Sequence, residues 1–480
     1  MEQKAGAQIS RKAFLQSFLI LLVLMLAAGV LTLVVPAGAY TRATLSDGRE
    51  MIDPDSYTSI PKPDYPIWRW LAAPLEVLGT SDGLTIITII LFLLIVGVAF
   101  ALLDRSGVLK AAIARIVARF GARKYVLLLV ISFFFMLLGA FLGMFEEVVL
   151  LIPVMLALSY LLGWDTLVGL GMSILATNMG FSAAITNPFT IGLAQKIAGL
   201  PMFSGAWLRI VIFLVLYAIF AVFLTRYARR IERDPSASPV YEEDQRSKQH
   251  FTYTGLEHNP RQGRAVVFLA VMMAVILSVF FLTPFVPFLA SYSLPLVGLL
   301  FFAAGLGAAR LSGLDGQEMR RAAVEGLGGI APGIPLILMA ASVKHIVASA
   351  GIMDTILHSA AGSIPAGSTF LAAVLVFLLA LALEFFVASA SAKVFLLMPI
   401  LFPLGDLVGL TRQTIVTAYC FGDGFTNMIY PTNAVLLISL GLASVPYGKW
   451  LRWSAKLWLW VLPVVLAFLA VAVAIGFGPF

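Results

Sequence analysis

The sequence predicts an all-α polytopic membrane protein with about nine transmembrane helices and two re-entrant hairpins. Of its 480 residues, 60% are hydrophobic and only 12% are charged, a composition far from that of soluble domains. The formal net charge of +7 comes from basic residues in short segments between apolar stretches. The positive-inside rule explains such clusters, so we expect the lipid bilayer and not nucleic acid as the partner.

Two polar stretches inside apolar spans organise the chain. Residues 422–433 read Gly-Asp-Gly-Phe-Thr-Asn-Met-Ile-Tyr-Pro-Thr-Asn, and residues 176–187 read Ala-Thr-Asn-Met-Gly-Phe-Ser-Ala-Ala-Ile-Thr-Asn. Irregular backbone is tolerated at membrane depth only when it is buried in protein or lines a cavity, so both stretches predict discontinuous helices. They align without gaps at an offset of 246 residues, the difference between Asn433 and Asn187. The same offset pairs Pro153 with Pro399, Gly163 with Gly409 and Thr186 with Thr432.

The start of the chain sets the orientation. The apolar run at residues 14–35 is too long for a signal-peptide core and predicts an uncleaved first helix. Residues 41–65 hold five acids against three bases, which is typical of the outer side. After a second span at 84–103, residues 107–124 carry five Lys and Arg and are expected inside the cell. The N-terminus is therefore also expected inside.

The rest of the first repeat half, residues 1–231, contains a hairpin and a discontinuous helix. The apolar segments within 125–162 are each too short for a full crossing, which predicts a re-entrant hairpin with Glu146 and Glu147 at its tip. A discontinuous helix at 166–200 and a span at 207–224 follow.

The second half, residues 265–480, repeats this order after a polar cytoplasmic linker at 232–264, and it adds one extra helix at 294–309. Its other predicted elements are the spans 266–289, 330–347 and 457–475, the hairpin 369–404 and the discontinuous helix 412–442. The extra crossing reverses the second copy relative to the first. Charge agrees with this reversal, because residues 352–368 carry no Lys or Arg, so we expect an inverted repeat.

Polar side chains at the helix breaks and hairpin tips are the candidate substrate and ion ligands. Half-helix ends and oxygen-bearing side chains bind ions and charged solutes at such breaks. The candidates are Glu146, Glu147, Thr177, Asn178, Thr186, Asn187, Ser389, Ser391, Lys393, Asp423, Thr426, Asn427, Thr432 and Asn433. A sodium ion is expected near Asn187, Asn433 and Asp423. The single cysteine, Cys420, provides neither a disulfide nor a multi-cysteine metal site, and no cofactor is expected.

The charged candidates leave alternatives open. Neighbouring residues on a helix point about 100° apart, so at most one of Glu146 and Glu147 is expected to face a ligand, while the other caps the second hairpin arm. Asp423 binds a cation, carries a coupling proton, or forms a structural ion pair with a base such as Lys393. Lys393, at the repeat position of Glu147, either clamps a substrate carboxylate or neutralises a Glu.

Four motifs are distinctive: Val34-Val-Pro-Ala-Gly-Ala-Tyr40, Ser389-Ala-Ser-Ala392, Phe421-Gly-Asp-Gly-Phe-Thr-Asn-Met428 and Val445-Pro-Tyr-Gly-Lys449. Together they resemble the C4-dicarboxylate anaerobic carrier family, in particular its YfcC-like branch, over nearly the whole chain. The resemblance implies a place in the ion transporter superfamily, with a homodimer, inverted repeats, re-entrant hairpins and elevator-type movement. It also implies Na⁺- or H⁺-coupled uptake or exchange of dicarboxylates or basic amino acids.

These observations favour a secondary active transporter, an ion-coupled symporter or exchanger for small charged metabolites in a prokaryotic cytoplasmic (inner) membrane, over an enzyme. The predicted site contains two acids, Asp423 and one of the tip glutamates, and a single base, Lys393. Because its charge is negative on balance, an amino acid is expected over an isolated C4-dicarboxylate. An intramembrane aspartyl protease would need a Gly-x-Gly-Asp motif, but position 420 is cysteine. A channel would need a run or ring of filter groups, which is not evident.

Cysteine accessibility tests the predicted orientation. In a Cys420→Ala background, an impermeant thiol reagent added outside should label cysteines at Ser56 and Pro365, whereas one at Ser247 should react only after the membrane is opened. Labelling of Ser56 and Pro365 from opposite sides would mean that the two repeats are parallel.

Overall fold

The computed structural model of the protein describes residues 11–44, 50–248, 260–282, 286–362 and 368–478. Within these ranges, ten helical segments are long and apolar enough to cross a membrane, which confirms the polytopic all-α prediction. Parts of the predicted polar segment, of the linker and of the span 266–289, together with Pro365, lie outside the described residues.

The first half follows the predicted order of elements. Its helices are α1 (Arg11–Val34), α2 (Trp68–Glu76), α3 (Gly83–Arg105), α4 (Val108–Phe120), α5 (Lys124–Leu137), α6 (Ile152–Leu161), α7 (Thr166–Leu170), α8 (Ala176–Ala183), α9 (Leu193–Ala198) and α10 (Ala206–Arg233). A π-helical turn at Gly171–Leu175 joins α7 to α8, and another at Leu138–Leu142 extends α5. A short 3₁₀ helix at Glu146–Leu151 leads into α6. The first discontinuous helix is therefore α7–α8, a break at 184–187, and a π-helical turn at Pro188–Gly192 continued by α9.

The remaining helices belong to the linker, in the case of α11, and to the second half. They are α11 (Tyr241–Lys248), α12 (Pro260–Leu282), α13 (Pro287–Ser312), α14 (Gly316–Ile330), α15 (Gly333–Ser349), α16 (Met353–Ala361), α17 (Thr369–Glu384), α18 (Ala390–Leu407), α19 (Arg412–Thr426), α20 (Ala434–Leu442) and α21 (Tyr447–Ala474). The second discontinuous helix is α19, a break at 427–433, and α20. Neither α19 nor α20 reaches the roughly 20 residues of a full crossing. The last helix begins at Tyr447, well before the predicted start at residue 457, and Trp450 and Trp453 in its first turns are buried.

The polar segment after α1 forms four short strands, which the sequence reasoning missed. β1 (Gly38–Ala39) pairs antiparallel with β4 (Thr58–Ser59), and β2 (Arg42–Thr44) pairs antiparallel with β3 (Glu50–Ile52). This segment docks on α16 of the second half. The Tyr40 N–H donates to Asp354 at 2.9 Å, and the Tyr57 ring stacks on His358 with centroids 3.9 Å apart.

The linker is also more ordered than its composition suggests. α10 continues to Arg233, and α11 places Asp244 in a buried position under the first half, where it accepts hydrogen bonds from the Thr166 side chain, the Thr166 N–H and Tyr160. Its neighbour Glu243 pairs with Lys449 of α21 at 2.7 Å. The described part of the linker therefore ties the two halves together.

Backbone features recur at the positions that the sequence repeat pairs. Gly163 and Gly409 both have positive φ angles, 87° and 71°, a conformation that glycine adopts without strain. Two residues later, Asp165 caps the N-terminus of α7 and Thr411 caps that of α19 through their side-chain oxygens. The sequence repeat thus corresponds to recurring local structure. The opposite orientation of the two copies in the membrane stays a prediction.

The discontinuous helices lie at the centre of the packing. The most apolar window of the first is wholly buried, whereas that of α1 is 33% buried and that of α12 is 22% buried, as expected for helices that face lipid. Glycines permit the closest approaches. A Cβ atom on Gly180 would lie 1.8 Å from Met136 O of α5, and one on Gly424 would lie 2.5 Å from Ser182 Cα, where α8 and α19 meet.

Gly180→Ala should therefore destabilise the protein, because the added methyl group overlaps the α5 backbone and overpacking of this kind costs about 1–3 kcal/mol. Thermal melting of the detergent-purified protein measures the effect. Gly448→Ala in α21 is the matched control, since a Cβ there meets nothing within 4 Å. Equal melting temperatures for the two variants would contradict the close α5–α8 packing.

Candidate functional site

Each helix break is closed by an asparagine at the start of the second half-helix. Asn187 Oδ1 accepts hydrogen bonds from the Phe189 and Thr190 N–H groups at 2.9 and 3.3 Å. Asn433 Oδ1 accepts from the Val435 and Leu436 N–H groups at 3.0 and 3.3 Å. The two residues, equivalent in the repeat, thus make the same helix cap, which satisfies N–H groups that the break would leave without partners.

The tip of the first hairpin sits on the first break. The Thr186 N–H donates to Ala140 O and the Thr186 hydroxyl to Phe141 O, both at 3.1 Å. Gly143, with a φ angle of 66°, passes so close that a Cβ atom on it would lie 2.2 Å from Asn187 Oδ1. The sequence-predicted pair Thr186–Asn187 therefore belongs to the contact between hairpin and break.

Glu146 and Glu147 begin the 3₁₀ helix just after this contact, so both acids lie in its first turn. Glu146 is exposed on the isolated chain, and Glu147 is half-buried. A negative charge in the first turn of a helix is favourable. The position is therefore favourable for both acids, and which of them faces a ligand stays a prediction.

The second break contains a chain of amide hydrogen bonds. Asn433 Nδ2 donates to Asn427 Oδ1 at 2.8 Å, and Asn427 Nδ2 donates to the Asp423 carbonyl at 3.3 Å. Two side chains of α21 bind the exposed carbonyls of the break. Trp450 Nε1 donates to Met428 O at 2.8 Å and the Tyr447 hydroxyl to Ile429 O at 2.5 Å. These backbone oxygens, expected to be available to a cation, are therefore already bound.

The remaining neutral candidates are dispersed. The Thr177 and Thr426 hydroxyls bond back to carbonyls one turn earlier in their own helices. Asn178 is buried and lines a small gap between α8 and α21, and its Oδ1 has no hydrogen-bond partner among the described residues. The buried Thr432 hydroxyl likewise has none within the described chain. Ser389, exposed at the second tip, caps α18 through the Ala392 N–H, and Ser391 lies beside it at 3.4 Å.

Lys393 and Asp423 form an ion pair rather than free ligands. Lys393 Nζ lies 2.6 Å from Asp423 Oδ1 and also contacts Glu384 Oε2, and all three side chains are fully buried. The sequence left several alternatives for these residues. In the structure, Asp423 forms the ion pair with Lys393, and Lys393 also neutralises a glutamate. The clamp on a substrate carboxylate is absent from this arrangement, because the ammonium is enclosed between two carboxylates of its own chain.

The sequence reasoning missed Glu384, although it is the only acid in the apolar arm 369–386. An acid in such an arm is costly without a partner, which was the available signal. It also missed Arg209, which lies near the outer end of the predicted span 207–224 and violates the charge rule there.

Arg209 is only 1% exposed and sits beside the first break. Its Nε donates to Ile185 O at 3.2 Å, and its Nη2 donates to Phe203 O and Ser204 O at 3.1 and 2.9 Å. Nη1 has no hydrogen-bond partner among the described residues, and no carboxylate of the described chain pairs with the guanidinium. The Asn187 Nδ2 donor is also buried without a partner there. The first break thus offers unsatisfied donors and an uncompensated positive charge.

Comparison with known proteins agrees with this membrane architecture. The family model of DcuC, the C4-dicarboxylate anaerobic carriers, matches residues 14–474. The chain belongs to the C4-dicarboxylate anaerobic carrier family. It is 34% identical over 394 residues to the Escherichia coli (strain K12) protein named "Putative basic amino acid antiporter YfcC", covering 79% of this chain and 76% of that protein. It is 25% identical over 383 residues to an uncharacterised Haemophilus influenzae protein, covering 78% and 72%.

Two solved transporter structures are similar over most of their length. The first is YdaH of Alcanivorax borkumensis, with 19% identity, a TM-score of 0.42 and coverage of 97% of this chain and 98% of that one. The second is MtrF of Neisseria gonorrhoeae, with 18% identity, a TM-score of 0.42 and coverage of 94% of this chain and 93% of that one.

For this member of the carrier family, several oxygens in the region expected to hold sodium already have partners. Hard cations need several oxygen ligands. Asn187 Oδ1, Asn433 Oδ1 and the Met428 and Ile429 carbonyls already accept hydrogen bonds, and Asp423 is paired with Lys393. The uncompensated Arg209 repels a cation from the first break.

Substitution of the capping asparagines separates support of the fold from binding. Asn187→Ala and Asn433→Ala should each lower stability by about 1 kcal/mol through loss of the cap, whereas Asn187→Ser and Asn433→Ser should retain most of it, since serine is a comparable cap. If the amide nitrogen also contacts the solute, transport in proteoliposomes is lost in the alanine and serine variants alike. Wild-type transport by both serine variants would restrict the asparagines to capping.

Proposed function

We propose that the chain is an ion-coupled secondary transporter that exchanges small charged metabolites, basic amino acids in the first place, across the cytoplasmic membrane of a prokaryote. The observation that carries the proposal is the first break. There, Arg209 and Asn187 present buried donors without partners beside a hairpin tip that carries two glutamates. A solute with a carboxylate at one end and a cation at the other matches both charges.

The charge balance favours the basic amino acid over the dicarboxylate. Glu384 and Asp423 are two acids with a single base, Lys393, in contact with them. Glu146 at the first tip adds a further acid. A buried solute of opposite sign is favoured, because unpaired charge is expensive in a low dielectric. The name of the Escherichia coli relative, a basic amino acid antiporter, supports the same solute.

The C4-dicarboxylate is the second candidate. Arg209 is a cation without an anionic partner in the described chain, and the family model carries that substrate in its description. Two carboxylates, however, require a second cation at the site, and Lys393 is already enclosed between Glu384 and Asp423.

The proposal includes a homodimer and elevator-type movement, both supported by the resemblance to the ion transporter superfamily. A channel is the competing mechanism. Exchange across a sealed membrane separates the two, because only a carrier accumulates labelled solute against unlabelled solute.

Counterflow tests the proposal directly. Proteoliposomes loaded with unlabelled arginine should accumulate labelled arginine transiently, and those loaded with succinate should not. Agmatine, which has the guanidinium of arginine but no carboxylate, should neither drive counterflow nor raise the melting temperature, because it has no group for Arg209. A ligand that binds only the folded state must raise that temperature. Arg209→Gln should abolish the response to arginine.

Arg412→Gln is the matched control, since Arg412 pairs with Asp406 at the protein surface and both side chains are exposed. It should retain counterflow. If only C4-dicarboxylates raise the melting temperature, the solute is a dicarboxylate and not an amino acid. If uptake is linear, does not saturate and shows no counterflow, the protein is a channel and not a carrier.

A further inference from the structure

The second hairpin and the second discontinuous helix meet at a cluster of three buried charges. Glu384 ends α17, Lys393 lies in the first turn of α18, and Asp423 lies within α19. Their side chains are fully shielded from solvent. The cluster therefore joins both arms of the hairpin to the helix that carries the break.

The ammonium of Lys393 takes the place that a bound cation would have. It contacts one oxygen of each carboxylate, Glu384 Oε2 and Asp423 Oδ1. The other oxygens, Glu384 Oε1 and Asp423 Oδ2, are buried and have no hydrogen-bond partner within the described residues. Two carboxylates this close would repel each other strongly without a cation between them.

The surroundings offer no other positive group in contact. The Tyr419 hydroxyl donates to Ala390 O at 2.7 Å and lies 3.4 Å from Asp423 Oδ1. Cys420 lies within electrostatic reach of both Asp423 and Arg209. Arg209 donates to the Ile185 carbonyl in the first break and to the Phe203 and Ser204 carbonyls just before α10, and it pairs with neither acid. Among the described residues, Lys393 alone compensates the two carboxylates by direct contact.

We propose that Lys393 is a tethered counter-cation that replaces a free coupling cation in the second half, so that this half binds no sodium ion. The repeat position of Lys393 in the first half is Glu147, the same offset of 246 residues that pairs the asparagines. The charge at this position is therefore opposite in the two halves. Lys393 determines the ion specificity of the second hairpin without touching the solute.

The inference deepens the proposed transport function, on which its meaning for coupling rests, but its test needs no solute. Replacing the ammonium by a neutral group of similar length leaves two buried carboxylates and several free oxygens. Such a site should bind a small monovalent cation, because oxygen ligands with net negative charge are what a hard cation requires. Lys393→Gln should therefore create a sodium site that the natural protein lacks.

Thermal melting in sodium chloride and in choline chloride, at equal ionic strength and without solute, makes the test. The natural protein should melt at the same temperature in both salts. Lys393→Gln should melt at a temperature that rises with sodium concentration and that choline does not restore. Lys393→Arg keeps the charge and should again be indifferent to sodium.

A triple variant, Lys393→Gln with Glu384→Gln and Asp423→Asn, removes the charges and should lose the sodium response, which locates the ion at these oxygens. Indifference of Lys393→Gln to sodium would overturn the proposal. The proposal would also be overturned if the melting temperature of the natural protein depended on sodium and Glu384→Gln abolished that dependence. This second measurement can be made even if the lysine variant does not fold. Because no solute is present, failure of the amino-acid proposal leaves this result unaffected.

Discussion

The need to satisfy the backbone N–H and carbonyl groups at two interrupted helices is the constraint on which the rest of this structure depends. Each break frees N–H and carbonyl groups that would normally bond within the helix. Asn187 and Asn433 take up the N–H groups, and Trp450 and Tyr447 take up carbonyls of the second break. The hairpins, the last helix and the glycine contacts are arranged around these bonds.

The two halves solve the same backbone problem with different charges. At the first break, a hairpin tip presses on the asparagine through Gly143, and Arg209 brings a positive charge without a carboxylate partner in the described chain. At the second, an amide chain fills the break and a salt-bridged cluster lies one to two turns before it. The backbone is therefore similar at the two breaks while their charged groups differ, and this difference is why we propose the first break as the place for a solute.

The sequence predicted the parts of the site that depend on local pattern. The breaks and the repeat-related asparagines follow from polar residues inside apolar runs, and both reappear as structural features, whereas the re-entrant nature of the hairpins stays a prediction. Residues whose role depends on distant partners were missed or left open. Glu384 has meaning only once α18 and α19 bring Lys393 and Asp423 to it.

The same limit explains the missed strands and the docked linker. Their side chains find partners far along the chain, Asp354 and His358 for the segment after α1 and Thr166 for Asp244. No pattern within either segment specifies those partners. Both segments are polar, as their composition indicates. Whether a polar segment is ordered depends on what it packs against, which composition does not specify.

The charge cluster also makes the two hairpins unequal as moving parts. Separating the arms of the second hairpin would pull Lys393 from Glu384 in a low dielectric, and breaking a buried pair of this kind costs about 3–5 kcal/mol unless another charge takes its place. The contact of the first tip with its break consists of neutral hydrogen bonds from Thr186, each worth about 1 kcal/mol. In the transport cycle that we propose, movement that admits a solute therefore costs less at the first tip, which is also where the unsatisfied donors lie.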